Sequence, residues 1–415
     1  MARATQEAGL EIEIRHPDSD EIELFHRRTE MAFGEDYVEG TAERYAPLLD
    51  LQRMYMAVDG DDVVGTAADF AFTLTVPGGK VEAAGVTMVG VLPSHRRQGI
   101  LRGMMRRQLD DVKRRDEPVA ILWASEGDIY QRFGYGIATL YSLLDIDRDR
   151  ARFRNDPGKT GRLRMLEPEK TFETIADVYN RICDVTPGMY ERSREWWENT
   201  RLHDPPEHRD GGGPMFRAVW EKDGRPEAYA LYRLHDEWET EPMGHLRVIE
   251  AMGTTPEATR EIWRFLLNID LVAHIKGYAQ PGIPPLLFMV AEPRRLRARL
   301  SDALLVRLVD VKAALEARSY AAEGTVVFEV ADAFMPDNAG RWRLEVTADR
   351  TSVQRTTDPA DLIVGVSDLA SVYLGGFTFA QLLHGGQIEE AVPGSVWRAD
   401  GMFRTDREPW CPQVF

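Results

Sequence analysis

A tight basic loop separates an apolar run from a helical pattern in residues 86–106, VTMVGVLPSHRRQGILRGMMR. Val86, Met88, Val89 and Val91 read as a strand that carries the backbone to the loop, and Pro93 stops it because proline has no N–H to give to a ladder. Gly99 lets a ligand approach the backbone closely. The first N–H groups of a helix beginning near Ile100 lack partners within the helix, and Arg96 and Arg97 add positive charge beside them. Residues of these types in this order form a cradle for a pyrophosphate.

Charge sharpens the reading. The chain has 51 Lys plus Arg against 68 Asp plus Glu, a net charge of −17. Between 96 and 115 the balance reverses, with basic residues at 96, 97, 102, 106, 107, 113, 114 and 115 against Asp110 and Asp111. A bare basic cluster is usually a solvated helix face, but the strand, proline and glycine around this one favour a small anionic ligand. Nucleic acid is a poor reading and is not expected as a partner, because the remaining surface repels phosphates over long range. One strand later, residues 118–124 (PVAILWA) read as a buried strand and Ser125-Glu126-Gly127-Asp128 as its exit into a short helix, followed by residues 129–136, IYQRFGYG.

Val89-Gly90-Val91 followed by Arg96-Arg97-Gln98-Gly99-Ile100 resembles the acetyl-CoA signature of the GCN5-related N-acetyltransferases, Arg/Gln-x-x-Gly-x-Gly/Ala. Leu101 stands at the last position, a bulkier residue of the kind expected in the Eis-like (enhanced intracellular survival) branch. The resemblance implies that the backbone of the 97–102 loop, Arg102 included, holds the pyrophosphate with Arg96 and Arg97. It further implies that Val89 and Val91 pair with pantetheine in strand fashion and that Ser125 and Glu126 flank the acyl end. Tyr130, with Gly134 and the aromatic Tyr135, matches the family's tyrosine-x-x-x-glycine-aromatic element, whose first tyrosine points at the sulfur of coenzyme A. Chemistry explains the need: amine attack on a thioester expels a thiolate, which a phenol within reach can protonate or stabilise. A thiol near pKa ~8.5 and a phenol near ~10 leave that transfer uphill by roughly 2 kcal/mol in water, so the site must favour it. The bland reading of Tyr130 is a half-buried aromatic packed beside Phe133 and Tyr135.

Eis-like enzymes also imply a base in the C-terminal carboxylate, here on Phe415. Its approach, residues 409–415 (PWCPQVF), is apolar and stiffened by two prolines, whereas an ordinary terminus is polar and loose. Spacing alone reads it as a docking strap, and the resemblance adds the chemistry. An α-carboxylate near pKa ~3.5 is a weak base unless desolvated, so it acts directly, through a water, or by stabilising the developing ammonium. Phe33, Glu35 and Tyr45 are candidate acceptor-binding residues, because a carboxylate and aromatic faces suit an amine. Val414 precedes the terminal residue where some aminoglycoside-acetylating Eis-like enzymes carry an acid, which weakens the aminoglycoside reading.

The elements around these residues fit an α/β (α+β) chain of tandem acetyltransferase folds followed by a sterol-carrier-like α+β domain. Residues 11–15 read as a strand and 20–32 as a helix with Asp18, Ser19 or Asp20 as N-cap; 53–58 and 63–76 form a hairpin about Asp59-Gly60-Asp61-Asp62. A second hairpin (215–220 and 227–234), a strand (246–252) and a helix (256–267) repeat the plan. There Gly253-Thr254-Thr255-Pro256-Glu257 puts an acid where phosphates would sit, so this copy binds no coenzyme A. Strands at 325–330, 341–347 and 361–365 and helical stretches at 369–376 and 379–386 resemble a sterol carrier. The expected domains are 1–155, a catalytic acetyl-CoA-binding domain; 156–305, a degenerate copy; and 306–415, the carrier-like domain bearing the C-terminus. Two cysteines in 415 residues give neither a disulfide framework nor a cysteine-rich metal site, and no metal is expected. No run of 18 apolar residues and no signal-peptide core occurs, so the protein reads as cytoplasmic without a membrane span.

The function expected is acetyl transfer from acetyl-CoA to a primary amine of an aminoglycoside, polyamine or lysine, in a homohexamer on family grounds. The alternative is a non-catalytic acyl-CoA or lipid carrier.

Overall fold

The computed structural model describes residues 12–240 and 242–415. Residues 1–11, which carry part of the reading for targeting signals and the first residue of the expected strand 11–15, lie outside them. The chain divides into two compact units, residues 1–72, 82–122 and 415 in the first and residues 73–81 and 123–414 in the second.

The first unit contains β1 (Ile12–Arg15), α1 (Ile22–Phe33), α2 (Thr41–Tyr45), β2 (Met54–Asp59), β3 (Asp62–Val76), β4 (Gly79–Val91), α3 (Ile100–Arg114) and β5 (Val119–Trp123), the turn end of the β3–β4 hairpin and Trp123 falling in the second. Its strands lie in the order β1-β2-β3-β4-β5. β2 pairs antiparallel with β1 and β3, whereas β5 runs parallel to β4, as a strand must when a helix has carried the chain back. The expected hairpin is present, and Gly60 takes the positive φ (+61°) that its tight turn needs. Met104, Met105, Gln108, Leu109 and Val112 of α3 are buried at the one- and four-residue spacing of an amphipathic helix. Phe25, Met54, Met56, Val58 and Val63 form a core cluster with Ala68.

The N-terminus of α1 differs from the reading above. Glu21, not Asp18, Ser19 or Asp20, holds the N-cap position, and no side chain caps the helix. The Glu21 carboxylate instead accepts two hydrogen bonds from Arg15, both at 2.7 Å, and one from the Asp18 N–H. The Arg15 bonds pull its pKa down to about 2.

The second unit carries β6 (Gly136–Ile137), β7 (Leu140–Asp147), β8 (Arg162–Met165), α4 (Pro168–Cys183), the short α5 (Arg194–Trp196), β9 (Phe216–Lys222), β10 (Arg225–His235), β11 (His245–Gly253), α6 (Pro256–Leu267), β12 (His274–Pro281), β13 (Arg299–Asp302) and β14 (Leu304–Leu308). Seven strands form one sheet in the order β13-β7-β12-β11-β10-β9-β8, and β6 pairs with β14. The β9–β10 hairpin turns on Asp223 and Gly224, both at positive φ as a type I′ turn requires. A further sheet of five strands, β17-β16-β15-β18-β19, is built from β15 (Gly324–Ala331), β16 (Gly340–Val346), β17 (Thr351–Arg355), β18 (Leu362–Gly365) and β19 (Glu389–Glu390). Helices Val366–Tyr373, Phe379–His384 and Ser395–Phe403 accompany it. The rings of Phe328 and Phe379 stack at 5.6 Å, Phe403 meets both edge-on at 6.0 and 5.0 Å, and the buried Arg318 guanidinium lies 4.4 Å from the Phe403 ring, so aromatic side chains fill this part.

Candidate active site

β4 is built to open. Among the described residues its parallel ladder with β5 runs only from Ala83–Val119 to Gly85–Ile121, while β4 itself continues to Val91. Val89, Gly90 and Val91 are half-buried on this extension, so an extended ligand can take the place that β5 vacates. Met88 sits at φ +53°, a conformation few non-glycine residues adopt, and its carbonyl accepts the Thr66 hydroxyl at 3.0 Å.

The strand leads to the basic loop. Gly99 occupies the N-cap position of α3 at φ +84°, no side chain caps the helix, and a Cβ on Gly99 would meet nothing within 4 Å. The uncapped N–H groups of this 15-residue helix and the open space beside them are features that suit an anion. Arg97, Gln98 and Arg102 are exposed, Leu101 is half-buried and Ile100 is buried in the body of the unit. Arg96 is exposed too, and its guanidinium donates to the carbonyls of Val91 at 3.1 Å and Ala32 at 3.0 Å, stapling loop to helix α1.

The basic cluster is smaller than counting suggested. Arg107 and Arg114 pair with Asp111, and Arg115 reaches the buried Asp69 at 2.7 Å and Glu117 at 3.1 Å. Arg53 completes that buried network on Asp69 at 2.6 Å, and Gln108 donates to Asp69 at 3.1 Å. Asp69 and Glu117 lie outside the stretch counted in the sequence, so the pairing of Arg115 was invisible there, whereas Asp111 was within the count.

Phe415 belongs to the first unit. Its ring packs edge-on against Phe72, with centroids 5.0 Å apart, and both rings lie over Gly85. A Cβ on Gly85 would stand 2.2 Å from a Phe72 ring carbon and 3.3 Å from Phe415. The last ladder residue of β4 is thus where the C-terminal ring rests. Phe72 continues a run of rings through Phe70 (5.6 Å) and Tyr45 (6.3 Å) to His26 (5.7 Å). Sequence reasoning named Tyr45 and Phe415 but missed Phe70, Phe72 and His26, because alternation on β3 marks Phe70 and Phe72 only as core. Burial, then the charge of Arg44, lowers His26 to about 4, so its imidazole is neutral. Phe33 is 48% exposed, and a Cβ on Gly90 would lie 3.8 Å from its ring. Glu35 is exposed just beyond α1; burial and then the Glu35 charge raise the pKa of Glu30.

In the second unit, Ser125 and Glu126 are exposed in the turn after β5, and the expected short helix is a single 3-10 turn, Gln131–Phe133, starting at Tyr130. Tyr130 is 7% exposed and meets Tyr135 edge-on at 5.8 Å. Burial pushes its phenol up to about 12, so it stays a proton donor at neutral pH. The glycines of this segment are sterically required. A Cβ on Gly136 would sit 1.8 Å from the Ser367 carbonyl oxygen, and one on Gly134 2.4 Å from Arg307, whose guanidinium is fully buried against Asp332 at 2.6 Å.

The start of α6 in the second copy differs from that of α3. Thr255 accepts the Ala258 N–H at the start of α6, and Glu257 beside it pairs with Lys222. A Cβ on Gly253 would meet the Thr259 nitrogen at 2.4 Å, so the strand end lies close against the start of α6. Among the described residues no group of His, Cys, Asp and Glu is arranged to hold a metal, and no helix is long and apolar enough to cross a membrane.

Comparison with known proteins gives the same picture. The chain matches the acetyltransferase (GNAT) domain family at residues 13–138, a second acetyltransferase (GNAT) domain family at 188–308 and the sterol carrier protein domain family at 311–412. It is 41% identical over 408 residues to an N-acetyltransferase of Streptomyces avermitilis, covering 97% of this chain and 99% of that one. It is 32% identical over 356 residues to the N-acetyltransferase Eis of Mycobacterium tuberculosis, 84% of each chain. Its fold matches the crystal structure of Eis1 from Mycobacterium abscessus with a TM-score of 0.84 at 34% identity, covering 97% of this chain and all of that one. A GCN5-related N-acetyltransferase from Anabaena variabilis shares the fold alone, with a TM-score of 0.83 at 20% identity. An open β4 edge, an uncapped helix behind a left-handed glycine and these matches along the whole chain place the protein among the Eis-like N-acetyltransferases.

Proposed function

We propose that the protein transfers the acetyl group of acetyl-CoA directly to a primary amine. The pyrophosphate lies on the N–H groups opening α3, with Arg97 and Arg102 beside them, and pantetheine extends along Val89–Val91. Ser125 and Glu126 flank the acyl end. The amine nitrogen bonds to the thioester carbonyl carbon, the C–S bond breaks, and Tyr130 gives its proton to the departing thiolate. The Phe415 carboxylate takes the ammonium proton or stabilises that charge, and amide and free coenzyme A leave. Phe33, Glu35 and Tyr45 receive the amine. A soluble cytoplasmic hexamer is the assembly the family suggests, which light scattering checks.

The observation that carries this reading is the seat of Phe415 on Gly85, the last paired residue before β4 opens. The Phe415 ring beside the opening strand supports a role for its carboxylate at the acyl group, and a carrier needs no such group. Arg96 braces the loop with two of its five N–H donors and keeps the others for the pyrophosphate.

The test is thiol release from acetyl-CoA with kanamycin, spermidine and lysine peptides as acceptors. Turnover with at least one amine is expected. Binding of acetyl-CoA without turnover on any amine would favour the carrier alternative. Val414 in place of an acid leads us to expect spermidine and lysine peptides ahead of kanamycin.

A further inference from the structure

The second unit holds another opened strand pair. β11 and β12 run parallel from His245–His274 to Val248–Gly277 and then part, β11 continuing to Gly253 while β12 pairs with β7 at Gln280–Ser142. α6 follows β11 as α3 follows β4. Trp410 packs at this opening, walling one side of a cavity of about 260 Å³ that Met252, Gly253, Thr259 and Gln280 also line. Its indole N–H donates to the Ala279 carbonyl of β12 at 2.7 Å, its backbone N–H to Pro187 at 2.8 Å, and its ring joins the core cluster of Met252 and Ile182 with 6% exposure. Ala279 adopts φ +47°, a conformation an L residue takes only when its surroundings hold it there.

The strap beyond Trp410 is bonded residue by residue. The Pro412 carbonyl accepts from Arg201 at 3.1 Å, and the Gln413 amide accepts the Trp196 indole N–H at 3.2 Å and donates to the Thr200 hydroxyl at 3.1 Å. Arg201 is itself steered by Glu250 at 3.3 Å, a buried carboxylate that Arg192 grips at 2.8 and 3.0 Å. A buried ion cluster adds little net stability, whereas it fixes geometry. Here the fixed group is a carbonyl three residues from the chain's last atom.

We propose that the second acetyltransferase-like domain serves catalysis as the clamp of the C-terminus: its strand opening takes Trp410 in the position that corresponds to the open edge of β4, and Arg201 fixes Pro412. Trp410 and Arg201 are then positioning residues for the Phe415 carboxylate. The inference rests on the reading of that carboxylate given above.

The experiment compares wild type, Trp410→Ala, Trp410→Phe, Arg201→Met, a chain lacking Phe415, and Trp410→Ala in the chain lacking Phe415. Two quantities are read: turnover with the best amine, and the rate at which carboxypeptidase releases Phe415. Arg201→Met leaves Glu250 paired with Arg192, and Trp410→Phe keeps a ring in the opening, so both variants should fold. Trp410→Ala and Arg201→Met are expected to lower kcat about 10- to 100-fold, as misplaced catalytic groups do. KM for acetyl-CoA should stay within about twofold, the pattern of a lost transition-state interaction. Trp410→Phe should fall between, Phe415 should be released faster from all three, and Trp410→Ala should add no loss once Phe415 is gone. Wild-type kcat and release rates in these variants, or a further loss from Trp410→Ala in the shortened chain, would overturn the clamp. Full activity in the chain lacking Phe415 would remove the carboxylate reading, and the release rates would still decide whether Trp410 and Arg201 hold the terminus.

Discussion

Gly85 shows how little room the site has. Replacing it with alanine puts a methyl group 2.2 Å from the Phe72 ring, which is 3% exposed and cannot retreat without moving Phe415. Gly85→Ala should cost about 1–3 kcal/mol, the usual range for overpacking, and lower acetyl transfer; urea denaturation and turnover check the two effects. His26 sets an acid limit at the same scale. Its folded pKa of about 4 lies below the ordinary histidine value, so its contribution to stability is complete above about 6.5 and is lost as pH falls towards 4. His26→Phe should make the melting temperature less sensitive to pH between those values. Gly99 stood out in the sequence through the strand, proline and arginines around it, while Tyr130 and Phe415 drew their roles from the family resemblance. Gly85 and Phe72 did not stand out, since a glycine in a strand announces close approach without saying to what, and Phe415 is 330 residues further along the chain.

At the scale of elements, the start of α3 is the feature most open to test. Gly99→Ala forces a Cβ into φ +84°, which costs about 1–2 kcal/mol, but meets no atom within 4 Å. The stability loss should therefore be modest while KM for acetyl-CoA rises several-fold, measured by thermal denaturation beside initial rates. The buried Glu250 behaves in the opposite way. Burial opposes its charge, yet Arg192 and Arg201 outweigh that and hold its pKa below the ordinary glutamate value. Its contribution is present above that ordinary value and is lost on acidification, and Glu250→Ala, which strands Arg192 in the interior, should destabilise by about 3–5 kcal/mol. Element order was readable, because hairpin turns and hydrophobic periods are local: β2–β3, β9–β10, α3 and α6 stand within a residue or two of the pattern. The bare N-terminus of α1 was not, since Arg15 captures Glu21 across six residues, and neither was the stapling of Arg96 to Ala32.

For the whole molecule, a net charge of −17 around one basic loop should draw cationic acceptors. Raising ionic strength from about 0.05 to about 0.5 M should lower kcat/KM for spermidine several-fold and for a monoamine much less, because screening acts on multiply charged ligands most. Three parts in series were legible from composition shifts and from the faint repeat of hairpin, strand and helix. Their division of labour was less so, because Trp410 and Pro412 find their partners more than a hundred residues away along the chain. Acid and base are the centre of the account, and the most direct test is the rate of thiol release from acetyl-CoA with the best amine, in wild type, Tyr130→Phe and a chain lacking Phe415, between pH 6 and 10. Both changes should cut kcat by about 10²–10⁴-fold, the range for a positioned acid or base, and the wild-type rate should show no alkaline fall from Tyr130, whose pKa is about 12. Variants that turn over at the wild-type rate across that range would contradict it.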